Sequence, residues 1–203
     1  VKQIEGLWWP DDVGEKWQHS LRHVESLTWA LEHCLHYRTA VQAGGNIGLW
    51  PRRLAERFQR VLTFEPDDDS RACLERNVPK NVEVHMEALG DYFGKCAIKH
   101  KSLGSHRVDV GLGVDLVPLD SFNLSDVDLI QFDIEGYEWH ALMGAEWTVK
   151  ANRPLIQLEL RDFSEKYGHS VGDIRELLER WDYAQVSQQP GSDFVFLPKE
   201  RIA

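Results

Sequence analysis

At 203 residues, 42% hydrophobic and 28% charged, the chain has the size and composition of one soluble α/β domain with a sizeable core. Its 33 acidic against 23 basic side chains give a net charge of −10, which opposes broad contact with nucleic acid. No apolar run approaches the ~20 residues that span a bilayer, and VKQIEGLWWPDD has no basic segment leading into an apolar one, so neither a membrane partner nor a secretory signal is expected.

Residues 1–38 read as an N-terminal helical extension or lid, and 39–203 as the main domain. In 11–37, Val13, Trp17, Leu21, Val24, Leu27, Leu31 and Leu35 recur at helical steps. Trp8 and Trp9 read as an anchor for this segment or as part of an acceptor wall. His19 and His23, and His33 and His36, have spacings that share a helix face, but no Cys or carboxylate motif completes either pair, so no metal is assigned there. Cys34, Cys73 and Cys96 form no CxxC pair and suggest reduced thiols of a cytoplasmic protein.

TAVQA (39–43) reads as a strand, and 47–58 as a helix with Pro51 in its first turn. VLTFE (61–65) is a strand; 68–77 is a helix capped by Asp67 or Asp68; VEVHM (82–86) is a strand. Within 90–118 five glycines exclude a helix, and AIKHKS and RVDVGL could pair as a hairpin. VDLIQFD (127–133) is the apolar run of a strand buried on both faces. A helix over 137–150, a strand over 153–160 and a helix over 170–181 capped by Ser170 follow. Strands 183–189 and 192–198, joined at Pro190-Gly191, close the chain as a hairpin. The alternation predicts a doubly wound, mostly parallel sheet with one antiparallel strand at the end.

In such sheets a ligand lies past the carboxyl ends of the strands, beside the first one. VQAGGNIG (41–48) lies there. It matches GxGxxG only in part, with Ala43 as the first position, and no Lys-Ser or Lys-Thr follows to make a phosphate loop. Glu65 ends the second strand about 20 residues on, where a carboxylate can accept hydrogen bonds from a ribose diol. A glycine turn plus this acid fits NAD and S-adenosylmethionine (SAM) alike.

VQAGGNIGLW, VLTFEP, EALGD, VPLDSF, LIQFDIEGYEWHALMGAEW and RPLIQLEL, in this order and spacing, resemble the FkbM family of SAM-dependent methyltransferases. The resemblance runs from about Ala40 to Arg161 and is most specific in QFDIEGYEWHALMGA. It implies a seven-stranded, Rossmann-like class I methyltransferase fold and methyl transfer, usually to oxygen, on small-molecule or glycan hydroxyls. Carried over by position, Gly44, Gly45, Asn46 and Gly48 would line the methionine part of SAM, Glu65 the ribose, and Glu87 and Ala88 the adenine. Asp133, Glu135 and Glu138 would be the family's acidic cluster, Asp133 also reaching the cofactor. Gln42 stands where the family has an Asp near the cofactor's ammonium group, and Gln131 where members often carry Lys.

An alcohol acceptor is helped by a base or a metal that lowers its pKa. Asp133 and Glu135 follow a buried strand, and His140 is a general-base candidate just beyond them. Glu159, in an apolar strand, needs a ligand, a cation or a basic partner, and could converge with Asp133 at the sheet edge. Mg²⁺ on these carboxylates, as in catechol-type enzymes of comparable fold, is the less favoured branch. The catalytic set expected is Asp133, Glu135, His140 and Glu159, without a metal. The competing readings are an NAD-dependent oxidoreductase and a cofactor-binding module without turnover.

Overall fold

The computed structural model describes all residues except 12, 15, 16, 101–105, 190, 191 and 203. A short hairpin, β1 (Lys2–Ile4) and β2 (Leu7–Trp9), opens the described chain. Residues 1–9 are therefore not helical. The helical stretch after them is also broken: α1 (Trp17–His23), a 3₁₀ turn (Val24–Ser26) and α2 (Leu27–His33). Then come β3 (Thr39–Ala43), α3 (Leu49–Ala55), β4 (Arg60–Phe64), α4 (Asp68–Asn77) and β5 (Val82–His85). Asp67 caps α4 by accepting from the Ser70 amide at 2.9 Å, as expected.

Between β5 and the fourth main strand lies a separate three-stranded sheet: β6 (Ala88–Leu89), β7 (Gly94–His100) and β8 (His106–Val117). β7 and β8 pair antiparallel, as the two apolar runs suggested. β9 (Val127–Phe132), α5 (Glu138–Met143), α6 (Glu146–Asn152) and β10 (Leu155–Glu159) follow. The single helix expected over 137–150 is thus two. Gly144 sits at the break, where an added Cβ would lie 1.9 Å from the Gly90 carbonyl oxygen. Asp120 then starts α6 afresh from outside it, accepting from the amides of Trp147 (2.9 Å) and Thr148 (2.8 Å). α7 (Val171–Arg180) carries a full capping box between Ser170 and Asp173. β11 (Tyr183–Gln189) and β12 (Asp193–Pro198) pair antiparallel; the Pro190-Gly191 turn itself lies outside the described residues.

The main sheet has seven strands in the order β11-β12-β10-β9-β3-β4-β5. β3, β4, β5, β9 and β10 run parallel, and β12 inserts antiparallel between β10 and β11. The order reverses beside β3, which leaves a crevice between its carboxyl end and that of β9.

One face packs Val41, Phe64, Ile130 and Ile156 against residues of α5, α6 and α7. The other packs Ala40, Leu129, Leu155 and Val195 against Leu27 and Leu31 of α2 and Trp50 and Leu54 of α3. That second face also carries a polar row. Thr63, Gln42, Gln131 and Gln157 are adjacent in register on four strands, and each is fully buried. The N-terminal hairpin is anchored by Trp9, which is fully buried with Val13, Ile47 and Cys73. Asn77 ties it down, donating to the carbonyls of Trp8 (2.8 Å) and Ile47 (2.7 Å). The three cysteines are free and buried. Among the described residues no helix is long and apolar enough to cross a membrane.

Candidate functional site

The crevice opens into a cleft of about 700 Å³. Its floor is the carboxyl ends of β3, β4 and β9: Ala43, Gly44, Asn46, Phe64, Glu65, Asp133, Ile134 and Glu135. Glu87, Ala88 and Leu89 form one side, and Ile98 and Val108 of the inserted hairpin close over it with Tyr137. Of the residues expected to hold a cofactor, Gly44, Asn46, Glu65, Glu87, Ala88 and Asp133 line this one cavity.

Gln42, Gly45 and Gly48 do not line it. Gln42 points into the second sheet face, where it donates to the Ala43 carbonyl at 3.0 Å and accepts from the Thr63 hydroxyl. It therefore cannot stand in for a carboxylate facing a ligand. The glycine turn also has an internal cause. A Cβ on Gly44, whose φ is +85°, would lie 1.9 Å from the Asp133 carbonyl oxygen. The turn is bare because β9 approaches it, and that approach places Asp133 beside Gly44.

Glu65 is buried at the head of the loop after β4. Its Oε2 accepts from the Asn46 amide at 2.6 Å and its Oε1 from the Asp67 amide at 2.8 Å. Burial still outweighs these bonds and pushes the carboxyl up to about 7. Asn46 has a positive φ of 47°, and its side-chain oxygen is buried without a partner. Both residues line the cleft.

On the opposite wall the chain turns sharply after Asp133, with positive φ at Glu135 (57°) and Gly136 (104°). Glu138 braces this loop: its Oε1 accepts from the amides of Ile134 (3.0 Å) and Gly136 (3.2 Å). It is buried at the start of α5 and does not line the cleft, whereas Glu135 does. His140 is outside the lining. Its Nδ1 lies 3.0 Å from Asp91 Oδ2 and its ring stacks on Tyr137, which removes it as a base acting directly in the cleft.

Glu159 does not line the cleft either, but it does converge with Asp133, as strand pairing suggested. It is buried at 4% exposure, and Arg161 donates to its Oε1. Burial and the neighbouring Glu159 hold Asp133 well above the usual carboxylate range, and burial pushes Glu159 up to about 7. Two further groups, unforeseen as site residues, join this pair. Asp193 of β12 pairs with Glu159 in register, and His23 of α1 brings Nε2 to 3.1 Å from Asp193 Oδ2 and 3.7 Å from Glu159 Oε1. His23 is raised above its ordinary value chiefly by the hydrogen bond to Asp193. The hydrophobic lining of Trp50, Phe64, Ile98 and Val108 was also not foreseen; only contacts distant in sequence bring it together.

The family model for the methyltransferase FkbM domain matches residues 42–184. Comparison with curated proteins gave no match. Among solved structures, the FkbM methyltransferase from Methylobacillus flagellatus KT superposes with a TM-score of 0.53 at 19% identity, over 79% of this chain and 43% of that one. This chain thus spans less than half the length of that protein. The magnesium protoporphyrin IX methyltransferase of Synechocystis PCC 6803 with bound SAM gives 0.51 at 12% identity, covering 97% of this chain and 84% of that one. The ribosomal protein L11 methylase of Lactobacillus delbrueckii subsp. bulgaricus gives 0.53 at 11%, covering 88% and 77%. These likenesses establish the class I methyltransferase-like fold. With the domain model matched from the first sheet strand to the last hairpin, the chain belongs to the FkbM methyltransferase family.

Proposed function

We propose that the chain transfers a methyl group from SAM to a hydroxyl of a small molecule or glycan. The observation that carries this is the placing of two buried or half-buried acids, Glu65 and Asp133, on opposite walls of one cleft, with the glycine turn between them. When bound, SAM supplies an electrophilic methyl carbon. Glu65 would hold the ribose hydroxyls, Asn46 the amino acid end, and Ala88 and Leu89 would cover the base. Asp133 would orient the acceptor hydroxyl and take its proton; burial and the neighbouring Glu159 raise it well above the usual carboxylate range, which strengthens it as a base. Glu135 adds a second acid to the same wall, and Glu159 fixes Asp133 from behind. Ile98, Val108 and Tyr137 exclude water, which sharpens the alignment that methyl transfer needs.

The test is transfer of labelled methyl from SAM to a panel of sugars, phenols and aliphatic alcohols, with the linkage read by mass spectrometry. An ether product is expected, and Asp133→Asn should lower its rate by ~10²–10⁴ with cofactor affinity little changed. Methylation at nitrogen or carbon would contradict the hydroxyl assignment. Cofactor binding with no transfer across the panel would favour a module without turnover.

A further inference from the structure

Asp133, Glu159 and Asp193 lie side by side at the ends of three adjacent strands, on the sheet face that Val24 of the 3₁₀ turn, α2 and α3 cover. Ligand atoms of His23, Asp133 and Glu159 all fall within 4.8 Å of one another. Asp193 is fully buried, and while its Oδ2 meets His23, its Oδ1 has no hydrogen-bond partner. Beneath the group, Gln131 is fully buried with both amide atoms unpartnered, and Gln157 Oε1 is unpartnered too. Both glutamines stand on the same face as the acids, two residues before Asp133 and Glu159 on their own strands. Orphaned polar atoms this deep are rare in native proteins and ask for a ligand or its bound water.

Charge points the same way. Three carboxyl groups, Asp133, Glu159 and Asp193, crowd together here, with Arg161 donating to Glu159. Exposed acids gather in this way without an ion, but Glu159 and Asp193 are buried. A divalent cation would displace their protons and bind them as carboxylates, with neutral imidazole as a further donor.

We propose that His23, Asp133 and Glu159, with Asp193 beside His23, form a site for a divalent transition-metal ion at the inner wall of the cleft. One imidazole among carboxylates suits Mn²⁺ or Zn²⁺ better than Mg²⁺ or Ca²⁺, which prefer all-oxygen donors. Gln131 and Gln157 would hydrogen-bond the ion's water. Because Asp133 also lines the cleft, the ion borders the acceptor space and would acidify a hydroxyl there. That use rests on the methyl-transfer reading; the binding itself does not.

The test is titration of the metal-stripped full chain with Mn²⁺, followed by electron paramagnetic resonance, with Zn²⁺ and Ca²⁺ compared by calorimetry. One Mn²⁺ per chain is expected, displaced by Zn²⁺ and not by equal Ca²⁺. His23→Gln and Asp193→Asn should each weaken it about tenfold or more. S-adenosylhomocysteine (SAH) affinity of His23→Gln should match the parent, which shows that the variant is folded. If Asp193→Asn fails to fold, His23→Gln alone decides. Absence of a stoichiometric site, or equal Mn²⁺ affinity in parent and His23→Gln, overturns the proposal. Mn²⁺ binding without any SAH binding would leave the metal site standing and remove the methyl-transfer reading.

Discussion

Gln42 and Glu65 illustrate how far a single position can be read. Glu65 was legible because an acid ending the second strand beside a glycine turn has few structural uses, and it does face the cleft. Gln42 was misleading: sequence position suggests a ligand-facing group, whereas strand alternation turns the side chain to the buried polar row. Placing Asp there removes the donor to Ala43, shortens the reach to Thr63 and buries a charge next to Gln131. We expect Gln42→Asp to cost about 2–4 kcal/mol in urea unfolding, with no gain in SAH affinity. Tighter SAH binding at unchanged stability would show that the side chain reaches the ligand. His140 failed as a candidate for a related reason. Helical spacing placed it near the acids, but only the fold shows Asp91 and Tyr137 holding it elsewhere.

Among elements, the strands and caps followed from local chemistry: apolar runs bounded by turns, and acids or Ser before helices. What local pattern missed was interruption from outside. The 137–150 helix has no internal breaker strong enough to end it; it ends because the backbone of Gly90 and Pro118 crowds Gly144. Asp120, more than 20 residues away in sequence, then supplies the start of α6. Removing this acceptor in Asp120→Ala leaves two amides and the Thr148 hydroxyl without it. The expected loss is about 1–2 kcal/mol, the range of a good N-cap, with SAH affinity little changed. A stability change within experimental error would mean that water replaces the carboxylate fully. The inserted hairpin shows the same limit. Its pairing was visible in two apolar runs, but its role as a cleft wall through Ile98 and Val108 depends on where the main sheet stops.

The whole molecule concentrates acids in its interior, and this sets its pH dependence. Glu65 and Glu138 are both pushed up to about 7, chiefly by burial. A carboxyl raised in the folded state binds its proton more tightly there than in the unfolded chain. Its stabilisation is present below the unfolded value and is lost as pH rises through about 7. Between about pH 5 and about pH 8 each should cost on the order of 2–3 kcal/mol. Glu159, Asp133 and His23, all raised, act in the same direction; His85, lowered by burial, acts oppositely below its ordinary value. Urea midpoints should therefore be higher at about pH 5 than at about pH 8. The reverse order would show that these acids are ionised and compensated in the folded protein. The convergence of His23 with Glu159 and Asp193 also belongs to this scale. It joins positions from α1, β10 and β12, and no spacing along the chain signals it.

If the cleft binds SAM through Glu65, calorimetric titration with SAH should register that contact directly. Ribose hydroxyls donate to the ionised carboxylate, so binding should draw a proton off Glu65. Affinity should rise with pH up to about 7 and level off above. Glu65→Ala should weaken SAH by ~1.5–3 kcal/mol, roughly 10- to 150-fold, and abolish that pH dependence. NADH should not compete. Binding of NADH in place of SAH, or unchanged SAH affinity in a folded Glu65→Ala variant, would contradict the account.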